Sequence, residues 1–554
     1  MHRIWLITTL VGFVFALALA AEPLSRVVSL SSPSALLKIR IMVKAGSAMD
    51  PAGLEGLAYV TGRLLIDGGF GDPQNPVTKD RLAEITRPWG SGAFPEVRVS
   101  KETTTFSMTV PREVLDRYVR EVLTPMFRQP LWAERELERV RAEALQELQS
   151  LRFEQIELVG LVAMDAVIHA GTSYAHPVFG TVQGLRQVTS EAVRRFYTTY
   201  YRPDNVVVGV SSDDPAVVRR LEAVWQQARS VQVDPLSPRP VDPPPPPQGR
   251  EVLIIALPGA ISTGLHAGFP IPITRAHPDY WPLYVANVWF GTHRDSFSHL
   301  YQVIREERGY NYGDYSYIEH FEGRPFFLFP PTNTPRRYQY FSIWIRPVAH
   351  DYAVHIMKAL TWELEHFIRT GLTEEQCELA KNKARVLHLN LAETIDRMLG
   401  YRLDDLFYGL NPGYLDAYLP KVEAVTCDQV NAAIRKYLQA RDLKYVVVTD
   451  EKVAPQLAEA IAQNGPAWGK KPEDYQIPVR QEGGRKVYMV PADRLPTLQR
   501  DAAWAYYWLD IPKERIRIVP VAQLFETAEI PWGSGDSARP WKSSWTARGD
   551  IADT

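Results

Sequence analysis

Cysteine is scarce in this chain of 554 residues, which has only Cys377 and Cys427. Two thiols exclude a disulfide framework as the main source of stability, and the sequence leaves open whether this one pair is bridged. Excess charge is also absent, because 62 Lys and Arg side chains balance 64 Asp and Glu side chains to a formal net charge of -2. Such a balance gives no overall field that would attract nucleic acid or an anionic membrane surface.

Long hydrophobic runs are missing after the amino terminus. The first run covers residues 4–21 and ends in small residues, including Ala18 and Ala20, which fit a cleavage site. We therefore predict a signal peptide at residues 1–21 and an exported protein, periplasmic or extracellular, without stable membrane insertion after cleavage. An uncleaved anchor is the alternative, although the run is at the short end of the roughly 17–25 residues that span a bilayer.

Proline is concentrated in one stretch that divides the chain. Residues 233–249 read VDPLSPRPVDPPPPPQG, which can form neither helix nor ladder and predicts a linker. The blocks on either side, residues 25–232 and 250–463, each pass from short strands to amphipathic helices and back to a valine-rich strand. We predict an α+β fold of two homologous blocks of antiparallel sheet packed with helices. A partly disordered extension, residues 464–554, should contain one short strand at residues 516–521.

Two stretches carry a resemblance to a known family. Residues 176–215 read HPVFGTVQGLRQVTSEAVRRFYTTYYRPDNVVVGVSSDDP, and within them Ser190 is expected to cap a helix that ends before Pro203. Residues 300–313 read LYQVIREERGYNYG. Both resemble segments of the insulinase, pitrilysin and mitochondrial-processing-peptidase-like metallopeptidases, the inverted zincins. The resemblance covers residues 25–463 and implies the fold of that family.

The resemblance also shows what the chain has lost. Active members carry H-x-x-E-H on a helix, whose two His hold zinc while the Glu acts as general base, and a distant Glu as third ligand. The corresponding helix here reads GLAYVTGRLL, which puts Tyr59 and Arg63 at the two His positions and Gly62 at the base. The later carboxylates persist as Glu136 and Glu143. We expect this chain to bind no metal and an ion pair between Arg63 and Glu143 to replace it.

A metal site elsewhere would need clustered His at ligand spacing, and H-x-x-E-H and H-E-x-x-H are both absent from the sequence. The nearest groups contain His293, His299, His320 and Glu363, and each is weak as a ligand set. We expect these residues to be polar surface residues on helix ends and loops. His176 is expected to pack or cap and not to bind metal.

Arg305 and Tyr312 match the family's carboxyl-half signature, an Arg followed seven residues later by a Tyr. In related enzymes this pair holds the substrate backbone, whereas without the resemblance Arg305 would simply pair with Glu306 or Glu307. The resemblance implies a non-catalytic subunit that binds extended peptide and completes the active chamber of a zinc-bearing paralogous partner. The alternatives are a self-standing metallopeptidase with an unrecognised metal site, and a non-enzymatic scaffold. The sequence leaves enzymatic activity of the chain alone uncertain.

Overall fold

The computed structural model describes residues 26–153, 155–226, 241–321, 327–465 and 472–529. The predicted signal peptide, part of the predicted linker and the residues after 529 lie outside these ranges. Within the described ranges no helix is both long enough and apolar enough to cross a membrane.

The strands form two large sheets and one small hairpin. Their bounds are β1 Arg26–Ser29, β2 Leu36–Val43, β3 Glu96–Val99, β4 Thr104–Pro111, β5 Val206–Val210, β6 Glu251–Ala256, β7 Thr263–Ile271, β8 Asp314–Tyr317, β9 Gln339–Val348, β10 Lys444–Thr449, β11 Val479–Glu482, β12 Arg485–Tyr488 and β13 Ile516–Pro520. The valine-rich strands β5 and β10 are buried along their whole length, as expected for strands covered on both faces.

Helices surround both sheets. Their bounds are α1 Leu57–Asp67, α2 Lys79–Thr86, α3 Leu115–Tyr118, α4 Thr124–Arg128, α5 Glu134–Phe153, α6 Ile156–Ile168, α7 Val182–Gln187, α8 Ser190–Tyr200, α9 Pro215–Gln226, α10 Tyr280–Gly291, α11 Ala353–Thr370, α12 Glu374–Leu391, α13 Ile395–Tyr408, α14 Tyr414–Ala424, α15 Cys427–Tyr437, α16 Ala454–Ala462 and α17 Leu495–Tyr506.

The two large sheets repeat one topology. The first has the strand order β1-β5-β2-β4-β3, and the second has the order β13-β6-β10-β7-β9-β8. Removing β13 leaves five strands in the same succession, with β1 parallel to β5 and β6 parallel to β10 at matching places. The remaining pairs of these five strands are antiparallel in both sheets. The chain therefore contains two copies of one α+β unit, as the sequence predicted.

Each sheet is covered on one face by a helix from the other half. Helix α6 packs on β7 and β10 of the second sheet, and α13 packs on β5 and β1 of the first. The α6 contact forms a shared core in which Val159 and Val167 lie with Val446 and Val448, all fully buried. The α13 contact forms a smaller core in which Leu403 lies with Met42 and Val207, so apolar contacts join the halves at both sheets.

The extension after residue 463 is part of the second half. Strand β13 lies parallel to β6, with Ile516 opposite Val252, and adds an edge strand that the first sheet lacks. The predicted strand at residues 516–521 is thus confirmed within one residue.

One local prediction is wrong. Helix α8 is capped by Thr189, whose side chain accepts a hydrogen bond from the backbone N–H of Ala192, and not by Ser190. Ser190 is instead the first helical residue, and its hydroxyl donates to Glu134 at 2.5 Å. Adjacent Thr and Ser residues are both good caps, so the sequence alone does not distinguish them.

Cys377 and Cys427 form a disulfide that joins the first turns of α12 and α15. Both helices begin with a capping box, Thr373 with Gln376 and Thr426 with Gln429, which fixes both first turns. The sequence left open whether the two cysteines are bridged. They are bridged because the first turns of α12 and α15 meet in the core of the second half.

The disulfide should stabilise the second half measurably. It closes a loop of 50 residues, and the loss of unfolded-chain entropy for such a loop is worth up to about 4 kcal/mol. We expect the double variant C377A/C427A to lower the free energy of unfolding by about 2–4 kcal/mol in urea titrations. Reductant should lower the stability of the natural chain similarly and leave the variant unchanged. If the natural chain and the variant have equal urea midpoints in the absence of reductant, this expectation is wrong.

Candidate functional site

Helix α1 presents the three positions predicted to replace the zinc ligands and base. Its start is fixed by Asp50, whose carboxylate accepts the backbone N–H groups of Gly56 and Ala58, each at 2.7 Å. Asp50 thereby satisfies amide groups that have no partner within the helix. Helix α1 packs against α5, which carries Glu136 and Glu143.

Arg63 and Glu143 form the predicted ion pair, with Arg63 Nη2 at 3.1 Å from Glu143 Oε2. The same guanidinium also donates to Asp67 one helical turn later, at 3.0 Å. Asp67 is only 4% exposed, so its carboxylate needs charged partners more than Glu143 does. The positive charge between α1 and α5 is therefore supplied by the side chain of Arg63.

A second arginine extends this pair into a network. Arg139 bonds to Glu136 at 2.8 Å, to Glu143 from the preceding turn, and approaches Asp67 at 3.5 Å. Lys79 adds a contact to Asp67 at 3.0 Å. Asp67 and Arg139 were not predicted from the sequence. Asp67 lies four residues after Arg63, and Arg139 lies three residues after Glu136, spacings that place each pair on one face of a helix.

Gly62 lies at a close contact between the helix and the first sheet. A Cβ atom at this position would lie 3.1 Å from Thr104 Cγ2 and 3.2 Å from Val99 Cγ2, so strands β3 and β4 pack directly on the helix here. A larger residue would require these side chains to shift by a few tenths of an ångström, and Gly62 itself has no side chain that could act as a base.

Tyr59 at the first ligand position is half-buried, and burial raises the pKa of its phenol above the ordinary value. A neutral phenol and the two guanidinium groups of Arg63 and Arg139 are a donor set that does not suit zinc. In the described part of the chain, no group of three or more His, Cys, Asp or Glu residues could hold a metal ion.

The histidines predicted to be surface residues are partly buried, and each has a partner within the protein. His299 Nε2 lies 2.7 Å from the carboxylate of Glu363, which is fully buried, and His320 Nδ1 lies 2.6 Å from the Tyr340 hydroxyl. His293 Nδ1 lies 2.6 Å from the Tyr317 hydroxyl. The surface prediction is therefore wrong for Glu363, because a polar residue with a distant partner looks like an exposed residue in the sequence.

His176 is buried, and its Nδ1 lies 2.9 Å from the Pro177 carbonyl oxygen, as expected of a packing residue.

A cavity of about 440 Å³ lies beside Tyr59, between the two halves. Its walls are mostly apolar and come from β3, α5, α6 and the loop before α7, as the lining residues Val97, Val99, Leu151, Leu158, Leu161, Val162 and Phe179 show. Its edge on one side is β3, the last strand of the first sheet. The cavity can therefore accept an apolar side chain next to a free strand edge.

The floor of this cavity is charged. Arg336 of the second half bonds to Asp165 of α6 at 2.6 Å, and Lys101 lies 3.5 Å from the same carboxylate. Burial alone would raise the pKa of Asp165, but Arg336, His320 and Lys101 hold it well below its usual value. Asp165 thus remains ionised and joins the halves electrostatically.

Arg305 and Tyr312 lie elsewhere, on the surface of the second half. Arg305 ends a π-helical turn, Tyr301–Glu306, where it bonds to Glu306 and its guanidinium carbon lies 4.9 Å from the Tyr301 ring centre. Tyr312 is 76% exposed. Neither residue lines the cavity beside Tyr59, so the structure does not bring the pair to the altered zinc positions.

Two family models match the chain. Residues 26–181 match the model described as Insulinase (Peptidase family M16), and residues 187–384 match the one described as Peptidase M16 inactive domain.

Individual proteins agree with these models. The chain is similar to an uncharacterized zinc protease of Streptomyces coelicolor, at 27% identity over 52% of this chain and 59% of that protein, so it spans less than two thirds of that relative. It is also similar to the mitochondrial cytochrome b-c1 complex subunit 1 of Caenorhabditis elegans, at 24% identity over 80% of this chain and 89% of that protein. The solved peptidase M16 inactive domain from Pseudomonas fluorescens has the same fold, with a TM-score of 0.63 at 20% identity over 76% of this chain and 94% of that one.

The ion-pair network should stabilise the contact between α1 and α5. We expect R63M to lower the free energy of unfolding by about 1–2 kcal/mol, because it removes charge-assisted hydrogen bonds from buried Asp67. The control R81M breaks the exposed pair of Arg81 with Glu84 and should cost less than about 0.5 kcal/mol. Urea titration at low and high salt measures both variants, and equal losses would contradict a structural role for Arg63.

Proposed function

The chain belongs to the M16 family of insulinase-like peptidases, and we propose that it is the non-catalytic subunit of a heterodimeric zinc peptidase. In this proposal a paralogous partner carries H-x-x-E-H and its zinc, and this chain binds extended peptide substrate and completes the active chamber. The observation that carries the proposal is an asymmetry between the two site components. The zinc positions are replaced and rebuilt as an ion-pair network, whereas Arg305 and Tyr312 persist in an accessible position.

Loss of zinc chemistry is supported by three independent features of α1 and α5. Arg63 places a permanent positive charge at a ligand position, Arg139 pairs with the remaining carboxylates, and Gly62 has no side chain to act as a base and packs closely on β3 and β4. The two arginines also pair with the buried carboxylate of Asp67. These contacts favour a stable, metal-free subunit over a self-standing peptidase.

A role in substrate binding is supported by the position of Arg305 and Tyr312. Tyr312 points outward with 76% of its surface exposed, and Arg305 is half-buried at the surface, where it packs on the Tyr301 ring and pairs with Glu306. Exposed ion pairs of this kind contribute little to stability. They can therefore turn to groups on another molecule at small cost. Their guanidinium and phenol groups would donate hydrogen bonds to a peptide backbone or to a developing oxyanion in the partner's site.

The proposed setting is the periplasm or the extracellular space. The signal-like residues 1–21 favour export, and the disulfide between Cys377 and Cys427 suits an oxidising compartment. We keep the division into peptidase-like domains at residues 25–232 and 250–463, the linker at 233–249 and the extension at 464–554 as part of this proposal.

A scaffold without a role in peptide cleavage is the second candidate. It is favoured by the similarity to a cytochrome b-c1 complex subunit, which extends over 80% of this chain. In that case Arg305 and Tyr312 would be dispensable, which separates the two candidates.

The test is reconstitution of the chain with an H-x-x-E-H paralogue from the same genome and an assay on unstructured peptides. We expect R305A or Y312F to lower kcat/KM of the complex by about a hundredfold, the usual effect of removing one oxyanion donor. The controls R441A and Y488F replace exposed residues far along the chain from Arg305 and Tyr312 and should leave cleavage unchanged.

Three outcomes distinguish the candidates. A stable complex whose cleavage does not respond to either variant would support the scaffold and contradict substrate binding. Peptide cleavage by this chain alone, with stoichiometric zinc retained in an E143A variant, would show that it is a self-standing enzyme. Cleavage that needs both chains and falls with R305A supports the proposed subunit.

A further inference from the structure

Arg308 connects residues 300–313, the segment that carries Arg305 and Tyr312, to the carboxyl-terminal extension. It lies three residues after Arg305, and its side chain is only 4% exposed. Its guanidinium carbon lies 4.3 Å from the ring centre of Trp504 in α17, and its Nε donates to Asp501 of the same helix at 2.5 Å. A further nitrogen donates to the Thr497 carbonyl oxygen at 3.1 Å. One buried guanidinium thus contacts three successive turns of α17 through a cation–π contact and two hydrogen bonds.

The same guanidinium also fixes the turn that precedes it. Nη1 of Arg308 donates to the backbone carbonyl of Val303, inside the π-helical turn Tyr301–Glu306. Turns of this kind are rare and frequently lie at functional sites. Arg308 therefore links α17 directly to the backbone that sets the direction of Arg305.

A second connection lies at the amino-terminal end of the segment. Glu363 of α11 accepts hydrogen bonds from His299 at 2.7 Å and from the indole N–H of Trp504 at 3.0 Å, and Arg500 lies 3.4 Å away. Burial alone would raise the pKa of Glu363, but these three neighbours hold it below its ordinary value. An ionised, fully buried carboxylate thus joins His299, which precedes the segment, to α17.

A third connection involves Tyr310, which lies between Arg305 and Tyr312. Its ring packs against Tyr352 and His355, at centre distances of 5.0 and 5.9 Å. His355 in turn stacks on Tyr475 of the extension at 5.1 Å and lies 5.8 Å from Trp504. The segment is therefore held at residues 299, 308 and 310, and each connection leads to the extension.

Arg305 and Tyr312 have little support of their own. Arg305 contacts Tyr301 and Glu306 at the surface, and Tyr312 is largely exposed. Groups that bind a substrate backbone must be placed to within about 0.5 Å, which requires a rigid supporting shell. Here that shell comes from the connections of the neighbouring residues to α17.

We propose that α17 of the extension is a positioning element, and that Arg308, Asp501 and Trp504 set the geometry with which Arg305 and Tyr312 meet the substrate. The inference rests on the proposed function, and it adds a substrate-handling role for residues 472–529. The first half of the chain has no equivalent of this helix within its described residues, so the device belongs to the half that carries the Arg and Tyr pair.

The first test needs no partner. In the full chain, D501N and W504F should each increase hydrogen exchange of residues 300–313 about tenfold, because each weakens a link between that segment and α17. Exchange in β9 should not change. The matched control E459Q breaks the exposed contact of Lys513 with Glu459, also between the extension and the second half, and should leave residues 300–313 unaffected. D501E keeps the carboxylate and should restore protection.

The second test uses the reconstituted complex. D501N should lower kcat/KM by about three- to tenfold, and the loss should shrink in an R305A background and disappear in an R305A/Y312F background, since D501N acts through these two side chains. Unchanged exchange in both D501N and W504F would overturn the proposal. So would faster exchange without any loss of cleavage, provided that R305A alone slows the reaction. If R305A has no effect, the proposed function fails, and the exchange measurements still decide whether α17 holds the segment.

Discussion

The mutual covering of the two sheets is the constraint on which the rest of this structure depends. Helix α6 of the first half fills the face of the second sheet, and α13 of the second half fills the face of the first. Each sheet buries one face in the core of its own half and the other face against the helix from the other half, so the two units cannot separate without exposing core residues. The buried ion pair of Arg336 and Asp165 also favours one orientation of the two halves, because a buried ion pair tolerates little displacement of its partners.

The contact between α1 and α5 depends on charge as well as on packing. The positions proposed to replace a zinc site lie on these two helices, where positive charge between them joins their carboxylates. Arg63 and Arg139 supply that positive charge from the chain itself, with Asp67, Glu136 and Glu143 as counter-charges. Gly62 then lets β3 and β4 pack closely on the helix. In this site the charged side chains are therefore paired with one another, and the helix packs closely on the sheet.

The second half differs, because the segment proposed to bind substrate lies at the surface and the residues that support it are buried. Arg305 and Tyr312 face outward, and the groups that hold them lie inside, between α11 and α17. The extension also supplies β13, so it completes the second sheet and supports the segment at once. A chain that acts on another subunit's substrate needs this combination of accessible donors and rigid backbone.

Local periodicity and a motif matched to a known family were enough to predict the two-unit α+β fold, the valine-rich strands β5 and β10, several of the long helices and the pair of Arg63 with Glu143. Contacts between distant residues were not predictable in this way, and the tertiary fold sets the full burial of Glu363, the disulfide, and the contact of Arg308 with Asp501, 193 residues apart. Such contacts join residues whose local patterns are those of ordinary polar surface. Only the folded chain shows that their charges are paired in the interior, where removal from water makes each partner necessary.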